Sequence, residues 1–190
     1  MEKDKIAELA RAFAEGDKDA FGKLYEIYVK PIYNFIYYKT HHRESAEEIT
    51  SEVFLKAYKS AADYNSAKGT FQAWIYKIAR NSVIDHYRAA RPSLNIDDAW
   101  DLGSNEDILK DVENKIILKK VQDYISKLPL SQRDIIIMRI WQGLSYDEIS
   151  EIVGKSEANC KMIFSRAINK LRSSIPEATL VIALSLILKN

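Results

Sequence analysis

Apolar residues recur at three- and four-residue spacing along nearly the whole chain. This spacing places apolar side chains on one face of a helix, whereas a strand alternates with a period of two. Sustained period-two alternation is absent, so the pattern predicts an all-α protein. Pro31 interrupts the first stripe and predicts a kink or a restart there. The three clearest stripes are Leu24, Ile27, Tyr28, Ile32, Phe35 and Ile36; then Ile49, Val53, Phe54 and Ala57; then Phe71, Trp74, Ile75, Ile78, Ser82 and Val83.

Helix ends are predicted from capping residues. A Ser followed three residues later by an acid resembles the capping box that starts a helix. Gly143 and Gly154 each follow an apolar stretch, where a left-handed residue ends a helix. They bracket a short helix over 146–153, and Ser156 is the expected N-cap of the next one. The predicted capping boxes are Ser45 with Glu48, Ser131 with Asp134, and Ser145 with Glu148.

A change of composition divides the chain. Between Arg91 and Glu113, seven acids stand against the single base Lys110, a local net charge of −6 (one minus seven), and helical periodicity weakens. We therefore expect helical domains over 1–91 and 115–175, a flexible acidic linker over 92–114 and an apolar tail over 176–190. A plain solvated tether gives the same charge pattern in the linker. The tail is expected either to complete the core of the second domain or to act as a regulatory clamp.

Composition excludes several classes of function. The 28 Lys and Arg nearly balance the 27 Asp and Glu, so total charge favours no particular partner. One cysteine and three histidines argue against a disulfide framework and a metal centre. No phosphate-binding loop, zinc-protease motif or hydrolase elbow occurs, which predicts a protein with no catalytic site, cofactor or metal. The start lacks a secretory signal, and the apolar run at 178–188 is too short to span a bilayer. We expect a cytoplasmic, soluble protein.

The second domain has helix-turn-helix punctuation. A short capped helix, a turn at Gly154 and a longer helix follow one another, and the longer helix has the character of a recognition helix. Its surroundings carry five cations against one acid, a local net charge of +4. A three-helix domain with a basic solvated face is the alternative. These charges are Lys155, Lys161, Arg166, Lys170 and Arg172 against Glu157.

The first domain has a basic stripe beside aromatic residues. Lys77, Asn81, Ile84, Arg88 and Arg91 fall on one side of the helix predicted over 71–90, with Arg80 and Tyr87 beside them. Trp74 and Tyr76 are expected to add exposed aromatic area next to this stripe. Cations suit phosphates and exposed rings suit unstacked bases, so this surface favours single-stranded DNA. The polar loop over 63–69 carries the ring of Tyr64 and is a candidate cradle for an extruded base. Phe71, Trp74 and Ile75 alternatively belong to the core, and for Trp74 we favour the core.

Three ordered blocks of the chain match the pattern of one known family. The blocks are AEEITSEVFLKAY over 46–58; FQAWIYKIARN over 71–81, continuing to Asp85 and Arg88; and Leu128 and Pro129 with Arg133, followed by GLSYDEISEIVG over 143–154. Together they resemble the extracytoplasmic-function (group four) sigma factors of bacterial RNA polymerase. The first block is similar to the polymerase-binding motif of region two, the second to the promoter-melting and −10 segment, and the third to region four.

The resemblance implies a promoter-specificity subunit without catalysis of its own. Its partners would be core RNA polymerase, duplex DNA at the −35 element, melted DNA at the −10 element and an anti-sigma factor, and the acidic linker would thread the basic channel of the enzyme. The implied polymerase-binding residues are Glu47, Glu48, Glu52, Phe54 and Lys56. The implied −10 residues are Tyr64, Asn65, Lys68, Lys77, Arg80, Asn81, Arg88 and Arg91. The implied −35 residues are Lys155, Ser156, Glu157, Asn159, Lys161 and Arg166.

The chain departs from the family pattern at a few positions. Ser51 stands where the polymerase-binding motif usually has Gln, and Ile163 stands where a further Arg is common. Ala158, Asn159 and Cys160 precede Lys161 in place of a small residue, Thr and Val, so the −35 sequence is expected to be this chain's own. Two rivals remain: a dimeric helix-turn-helix regulator that does not associate with polymerase, and a nucleic-acid-processing enzyme.

Overall fold

The computed structural model describes residues 2–40, 42–90 and 128–174. Within these ranges the chain forms seven α-helices, one 3-10 helix and no strand, so the predicted all-α class is confirmed. The protein folds as two compact units, Met1–Ala99 and Trp100–Asn190. Arg91, the predicted acidic linker and the predicted apolar tail lie outside the described residues.

Over residues 2–40 and 42–90, unit 1 contains four α-helices. Helices α1 (Glu2–Ala14), α2 (Lys18–Thr40) and α3 (Arg43–Lys59) precede the 3-10 helix η1 (Ala61–Asp63) and helix α4 (Phe71–Ala90). Helix α2 packs against α1, α3 and α4, so it forms the centre of the unit. Burial of each large aliphatic or aromatic side chain contributes about 1.5–3 kcal/mol. The core includes Leu24, Ile32, Phe35, Ile36, Ile49, Val53, Ile75, Tyr76 and Val83.

The first stripe is largely confirmed, with two differences. Ile27 belongs to the predicted stripe but is 42% exposed, because it lies at the edge of the buried face of α2. The restart considered at Pro31 is wrong, since α2 runs unbroken from Lys18 to Thr40 with Pro31 inside it. The missing N–H removes one helical hydrogen bond, and packing of α2 on three neighbouring helices offsets that loss.

Two of the three predicted capping boxes are wrong. Helix α3 begins at Arg43, and its N-cap is His42, whose ring Nδ1 accepts a hydrogen bond from the Ser45 backbone N–H at 3.2 Å. Ser45 therefore lies within the first turn, where its own N–H needs a cap. Ser131 also lies inside a helix, because the helix begins one residue earlier, after Pro129.

In unit 2, the described residues 128–174 form three helices that pack around an aliphatic core. Helices α5 (Leu130–Ile140), α6 (Tyr146–Val153) and α7 (Glu157–Ser174) each contact the other two. The four-residue spacing of Ile163, Ala167 and Leu171 predicts a core stripe. Ala167 and Leu171 are buried, whereas Ile163 is only partly buried. Cys160 is fully buried, and this burial raises the pKa of its thiol above the ordinary value. The core includes Ile135, Ile136, Met138, Leu144, Ile149, Ile152, Cys160, Ala167 and Leu171.

Two of the buried polar residues of unit 2 lie in the first turns of α5. Arg133 and Asp134 are both almost fully buried. Arg133 Nε donates to the Leu128 carbonyl at 2.7 Å, which fixes the chain entering the helix. This is the Leu-Pro block of the sequence resemblance, and its role in the structure is to anchor the start of α5. Among the residues described in both units, no helix is long and apolar enough to cross a membrane.

Candidate nucleic-acid and polymerase interfaces

Local hydrogen bonds fix the turn between α6 and α7. The Ser145 hydroxyl accepts from the Glu148 N–H at 3.2 Å, and the Glu148 carboxylate accepts from the Ser145 N–H at 2.8 Å, so this predicted capping box is confirmed. Gly154 ends α6 with φ of +67°, a left-handed conformation that glycine adopts without a Cβ penalty. The Ser156 hydroxyl then accepts from the Asn159 N–H at 3.3 Å and caps α7. The helix-turn-helix prediction is confirmed.

Helix α7 presents one face to solvent. Ala158, Met162 and Ser165 lie on this face at four- and three-residue spacing, opposite the buried Cys160 and Ala167. We call these three exposed residues the outward face of α7. The helix is basic along its flanks, and its first two turns carry short or flexible side chains, as a helix that enters the major groove requires. Of the predicted −35 residues, Ser156, Glu157, Lys161 and Arg166 are exposed, whereas Lys155 and Asn159 are partly buried.

One flank of α7 is organised around Tyr146. Lys161 Nζ lies 2.7 Å from Glu157 Oε1 and 5.8 Å from the centre of the Tyr146 ring. Arg139 lies over the same ring at 4.7 Å and donates to the Leu144 carbonyl at 2.8 Å. A ring face attracts cations, so Tyr146 brings charges from α5 and α7 to one surface. Two of the predicted −35 residues, Glu157 and Lys161, are thus paired with each other.

Helix α4 carries the predicted basic stripe. Lys77, Asn81 and Arg88 are exposed at four- and seven-residue spacing, which places them on one side of the helix. Arg80 is partly buried. Arg88 forms a loose ion pair with Asp85, 3.9 Å apart, which leaves its guanidinium largely in solvent. Arg91, the last member of the stripe, lies outside the described residues.

The loop before α4 differs from expectation at its ring. Asn65 and Lys68 are exposed, but Tyr64 is only 7% exposed and is not free to stack on a base. Its ring packs against Phe71 at 5.7 Å and Trp74 at 5.5 Å, because the apolar stripe of α4 begins beneath the loop. Tyr76, which the sequence placed beside the basic stripe as exposed aromatic area, is buried.

The loop itself is shaped by short polar contacts. The Asn65 side chain accepts from the Ala67 N–H at 2.9 Å, and the Lys68 N–H donates to the Asn65 carbonyl at 2.9 Å. The Thr70 hydroxyl accepts from the Ala73 N–H at 3.1 Å and caps α4. An Asx turn followed by a capped helix holds the exposed loop in one conformation.

Helix α3 has a mixed acidic and apolar outer face. Glu47, Glu48 and Glu52 are exposed as predicted, but Phe54 is buried and packs on Tyr25 at 4.7 Å. Phe54 thus supports this face from below. Lys56 spans to α4, where its Nζ donates to the Ser82 hydroxyl at 3.0 Å, and it also pairs with Glu52 at 2.7 Å.

Exposed apolar residues on both units were not predicted from the sequence. Leu55 and Tyr58 on α3 are 53% and 42% exposed, and Met162 on α7 is 43% exposed. Five of the six residues over 53–58 are apolar or aromatic, which is more than one helix face can bury, and this excess was a usable signal. Position 162 lies opposite the core stripe of its helix, so the sequence pattern could also have indicated that Met162 is exposed.

The comparisons with known families match both units. Residues 24–92 match the family of Sigma-70 region 2, and residues 118–171 match that of Sigma-70, region 4. One chain that carries both regions has the domain composition of a sigma factor. The boundaries of the match leave helix α1 outside region 2.

Curated relatives show to which class of sigma factors the chain belongs. The chain is 32% identical over 180 residues to the ECF RNA polymerase sigma factor BldN of Streptomyces coelicolor, covering 91% of this chain and 67% of that protein. It is 28% identical over 152 residues to the ECF RNA polymerase sigma factor SigM of Bacillus subtilis, covering 80% and 92%. The chain therefore belongs to the extracytoplasmic-function sigma factors of RNA polymerase.

Solved structures share the fold. CnrH, in complex with the cytosolic domain of CnrY, matches with a TM-score of 0.68 at 20% identity, covering 89% of this chain and 96% of that one. RpoE of Bartonella quintana, in complex with the anti-sigma factor NepR, matches with a TM-score of 0.63 at 21% identity, covering 83% and 96%.

Family membership decides the general function. The protein is an alternative sigma factor, which binds core RNA polymerase and promoter DNA and directs transcription initiation. Membership in this family decides against the dimeric regulator that the sequence left open. Sigma factors are transcription factors rather than enzymes.

Proposed function

We propose that the two units divide promoter recognition between them. Unit 2 reads the −35 duplex with α7, and unit 1 docks on core polymerase with α3 and captures the melted −10 strand with α4 and the loop before it. The observation that carries this proposal is the capped turn that presents the polar first turns of α7 to solvent. We further propose that the chain has no catalysis of its own and acts in the cytoplasm.

The −35 contact rests on the geometry of α7. Its N-terminal turns are exposed, and N-terminal residues of a recognition helix meet base edges in the major groove. Lys161 and Arg166 flank the outward face and suit phosphates on either side of the groove. Asn159 lies beside this face, and its amide suits the adenine edge.

The −10 contact rests on the basic stripe and on the loop. Lys77, Asn81 and Arg88 share one side of α4 and suit the phosphates of a single strand. Asn65 and Lys68 stand out from the preformed loop. Tyr64 supports the loop from its buried side, so its role in this proposal is to position the loop and not to stack on the base.

Polymerase docking rests on α3. Glu47, Glu48 and Glu52 form an acidic edge, and Leu55 and Tyr58 add exposed apolar area beside it. An apolar centre with a charged rim is the usual composition of a protein interface. Because Glu52 already pairs with Lys56, Glu48 is the acid most available to a basic partner.

We also propose an anti-sigma partner for this chain. Two structures that share its fold, CnrH and RpoE, were each solved with a bound partner, the cytosolic domain of CnrY and the anti-sigma factor NepR. The exposed apolar area of Tyr25, Leu55 and Tyr58 would need cover when polymerase is absent. A partner that covers it would compete with core polymerase.

Reconstitution with core polymerase tests the docking surface. Glu48→Lys should weaken assembly by more than about tenfold, since a like-charge contact costs several kcal/mol. The matched control is Glu26→Lys, a charge reversal at an exposed acid of α2, which should change affinity by less than about threefold. Equal affinities for the two variants would contradict the docking proposal.

Binding of a single-stranded −10 oligonucleotide by the reconstituted enzyme tests the −10 surface. Lys77→Ala should lower binding of a single-stranded −10 oligonucleotide and reduce the salt slope by about 0.7 unit, since one phosphate contact is lost. Lys30→Ala removes an exposed cation from α2 and is the control. Strand binding that is unchanged in both variants would remove α4 from the −10 interface.

A further inference from the structure

The outward face of α7 carries an exposed apolar side chain where a DNA-reading helix usually carries polar ones. Met162 is 43% exposed, although α7 buries Cys160, Ala167 and Leu171 on its opposite side. Ala158 lies one turn earlier on the same face and is also exposed. Burial in unit 2 therefore does not explain why Met162 is apolar.

The charges around this face indicate what covers it. Lys161 and Arg166 are exposed on either flank, and Lys170 and Arg172 extend the positive charge along the helix. A protein partner would have to be acidic at its rim, whereas duplex DNA supplies phosphates on both sides of the groove into which α7 fits. Charge complementarity thus favours the major groove as the occupant.

The major groove offers one apolar group. Each thymine projects its C5 methyl there, and apolar side chains recognise that methyl, while the other base edges present hydrogen-bonding groups. Met162 is flexible and polarisable, so it adapts to a methyl without a rigid pocket. Ala158 is short enough to let the backbone of α7 approach the same edge.

We propose that Met162, with Ala158 beside it, recognises thymine methyl groups in the −35 element and so sets part of this protein's promoter specificity. The inference rests on the proposed −35 function of α7. Asn159 lies three residues before Met162 and is its neighbour on the helix. An amide that suits adenine beside a thioether that suits a thymine methyl matches an A·T pair in the element.

Uracil substitution isolates the methyl group. The full chain is first assembled with core polymerase and used to select sequences from a duplex library that is randomised over the −35 region. In the selected duplex, each thymine is then replaced singly by uracil, which removes only the C5 methyl. We expect one or two positions at which uracil weakens binding by about fourfold, the value for one buried methyl-sized group.

Met162 variants connect that loss to one side chain. Met162→Gln should abolish the difference between thymine and uracil, whereas Met162→Leu keeps an apolar contact and should retain it. Both substitutions are at an exposed position, so the fold should tolerate them. Assembly with core polymerase serves as the control for folding and should be equal for all three proteins.

Different outcomes would overturn the methyl-recognition inference and the −35 proposal for α7. Selection of a defined sequence with no sensitivity to uracil, or with a sensitivity that Met162→Gln leaves intact, would overturn the methyl-recognition inference alone. If no duplex sequence is enriched, the −35 proposal for α7 fails, and this inference fails with it.

Discussion

The two units hold their functional surfaces in different ways. In unit 1, the loop before α4 rests on aromatic side chains that come from distant parts of the chain. In unit 2, the start of α6 and the turn before α7 are held by hydrogen bonds between residues three or four positions apart. One surface therefore depends on tertiary packing and the other on local chemistry.

The aromatic support of unit 1 joins three helices and the loop. The Phe71 ring lies 6.1 Å from Phe13 of α1, 5.4 Å from Tyr28 of α2 and 5.7 Å from Tyr64 at the start of the loop. Trp74 packs on the same cluster, 5.5 Å from both Phe71 and Tyr64. Aromatic pairs at such distances add about 0.5–1.5 kcal/mol each beyond simple burial. The cluster therefore fixes where the loop lies on unit 1, while the Asx turn at Asn65 shapes the loop itself.

The largest expected effect comes from removing the centre of that cluster. Phe71→Ala should destabilise unit 1 by about 3–5 kcal/mol, since it removes a large buried side chain and leaves a cavity. Hydrogen exchange read separately on peptides from α1–α4 and α5–α7 measures the change in each unit. Exchange in peptides from α5–α7 should be unchanged. Equal loss of protection in both units would show that the effect of Phe71→Ala is not confined to unit 1.

A smaller effect is expected at the turn of unit 2. Gly154→Ala places a side chain at φ of +67°, which costs about 1–2 kcal/mol for an L-residue. A Cβ there would meet no atom within 4 Å, so the cost is conformational and not steric. Hydrogen exchange in α6 and α7 should accelerate, while α1–α4 remain unchanged. Faster exchange in α1–α4 as well would show that the effect of Gly154→Ala is not confined to unit 2.

Two serines with the same sequence signature sharpen the comparison. Ser145→Ala removes a confirmed N-cap and should cost about 1 kcal/mol. Ser45→Ala removes a hydroxyl from inside the first turn of α3 and should change stability by less than about 0.5 kcal/mol. Thermal or denaturant unfolding of the two variants measures both. A larger loss at Ser45 than at Ser145 would reverse the assignment of the two helix starts.

The same difference explains what the sequence could predict. The capping box at Ser145, the left-handed Gly154 and the cap at Ser156 were all predicted, because each is a contact between residues close in sequence. Ser45 carries an identical signal, but His42 provides the cap in its place, and no local rule ranks one against the other.

Tertiary burial accounts for most of what the sequence did not predict. Tyr64 lies in a polar loop and was expected to be exposed, yet Phe71 and Trp74 give it an apolar site. The exposure of Met162 was not predicted, because an apolar residue in a helix is usually assigned to the core. Its exposure follows only once Cys160 and Leu171 are known to occupy the buried side of α7.

The smallest expected effect concerns Glu157, the acid paired with Lys161. Glu157 Oε1 lies 2.7 Å from Lys161 Nζ, with both side chains about half exposed (48% and 55%), so the carboxylate competes with a DNA phosphate for the same cation. An exposed pair of this kind is worth about 0.3–0.5 kcal/mol, and Glu157→Gln should therefore tighten −35 duplex binding by about twofold.

The same change removes a negative charge from the first turn of α7, where that charge interacts favourably with the helix dipole. Stability should therefore fall by about 0.3–1 kcal/mol while affinity for the duplex rises. Duplex binding across a salt series, together with thermal unfolding, measures both. The gain should disappear when Lys161 is also changed to Ala. Weaker binding by Glu157→Gln would instead indicate that the carboxylate contacts a base directly, as it would if it accepted a hydrogen bond from the N4 amino group of a cytosine.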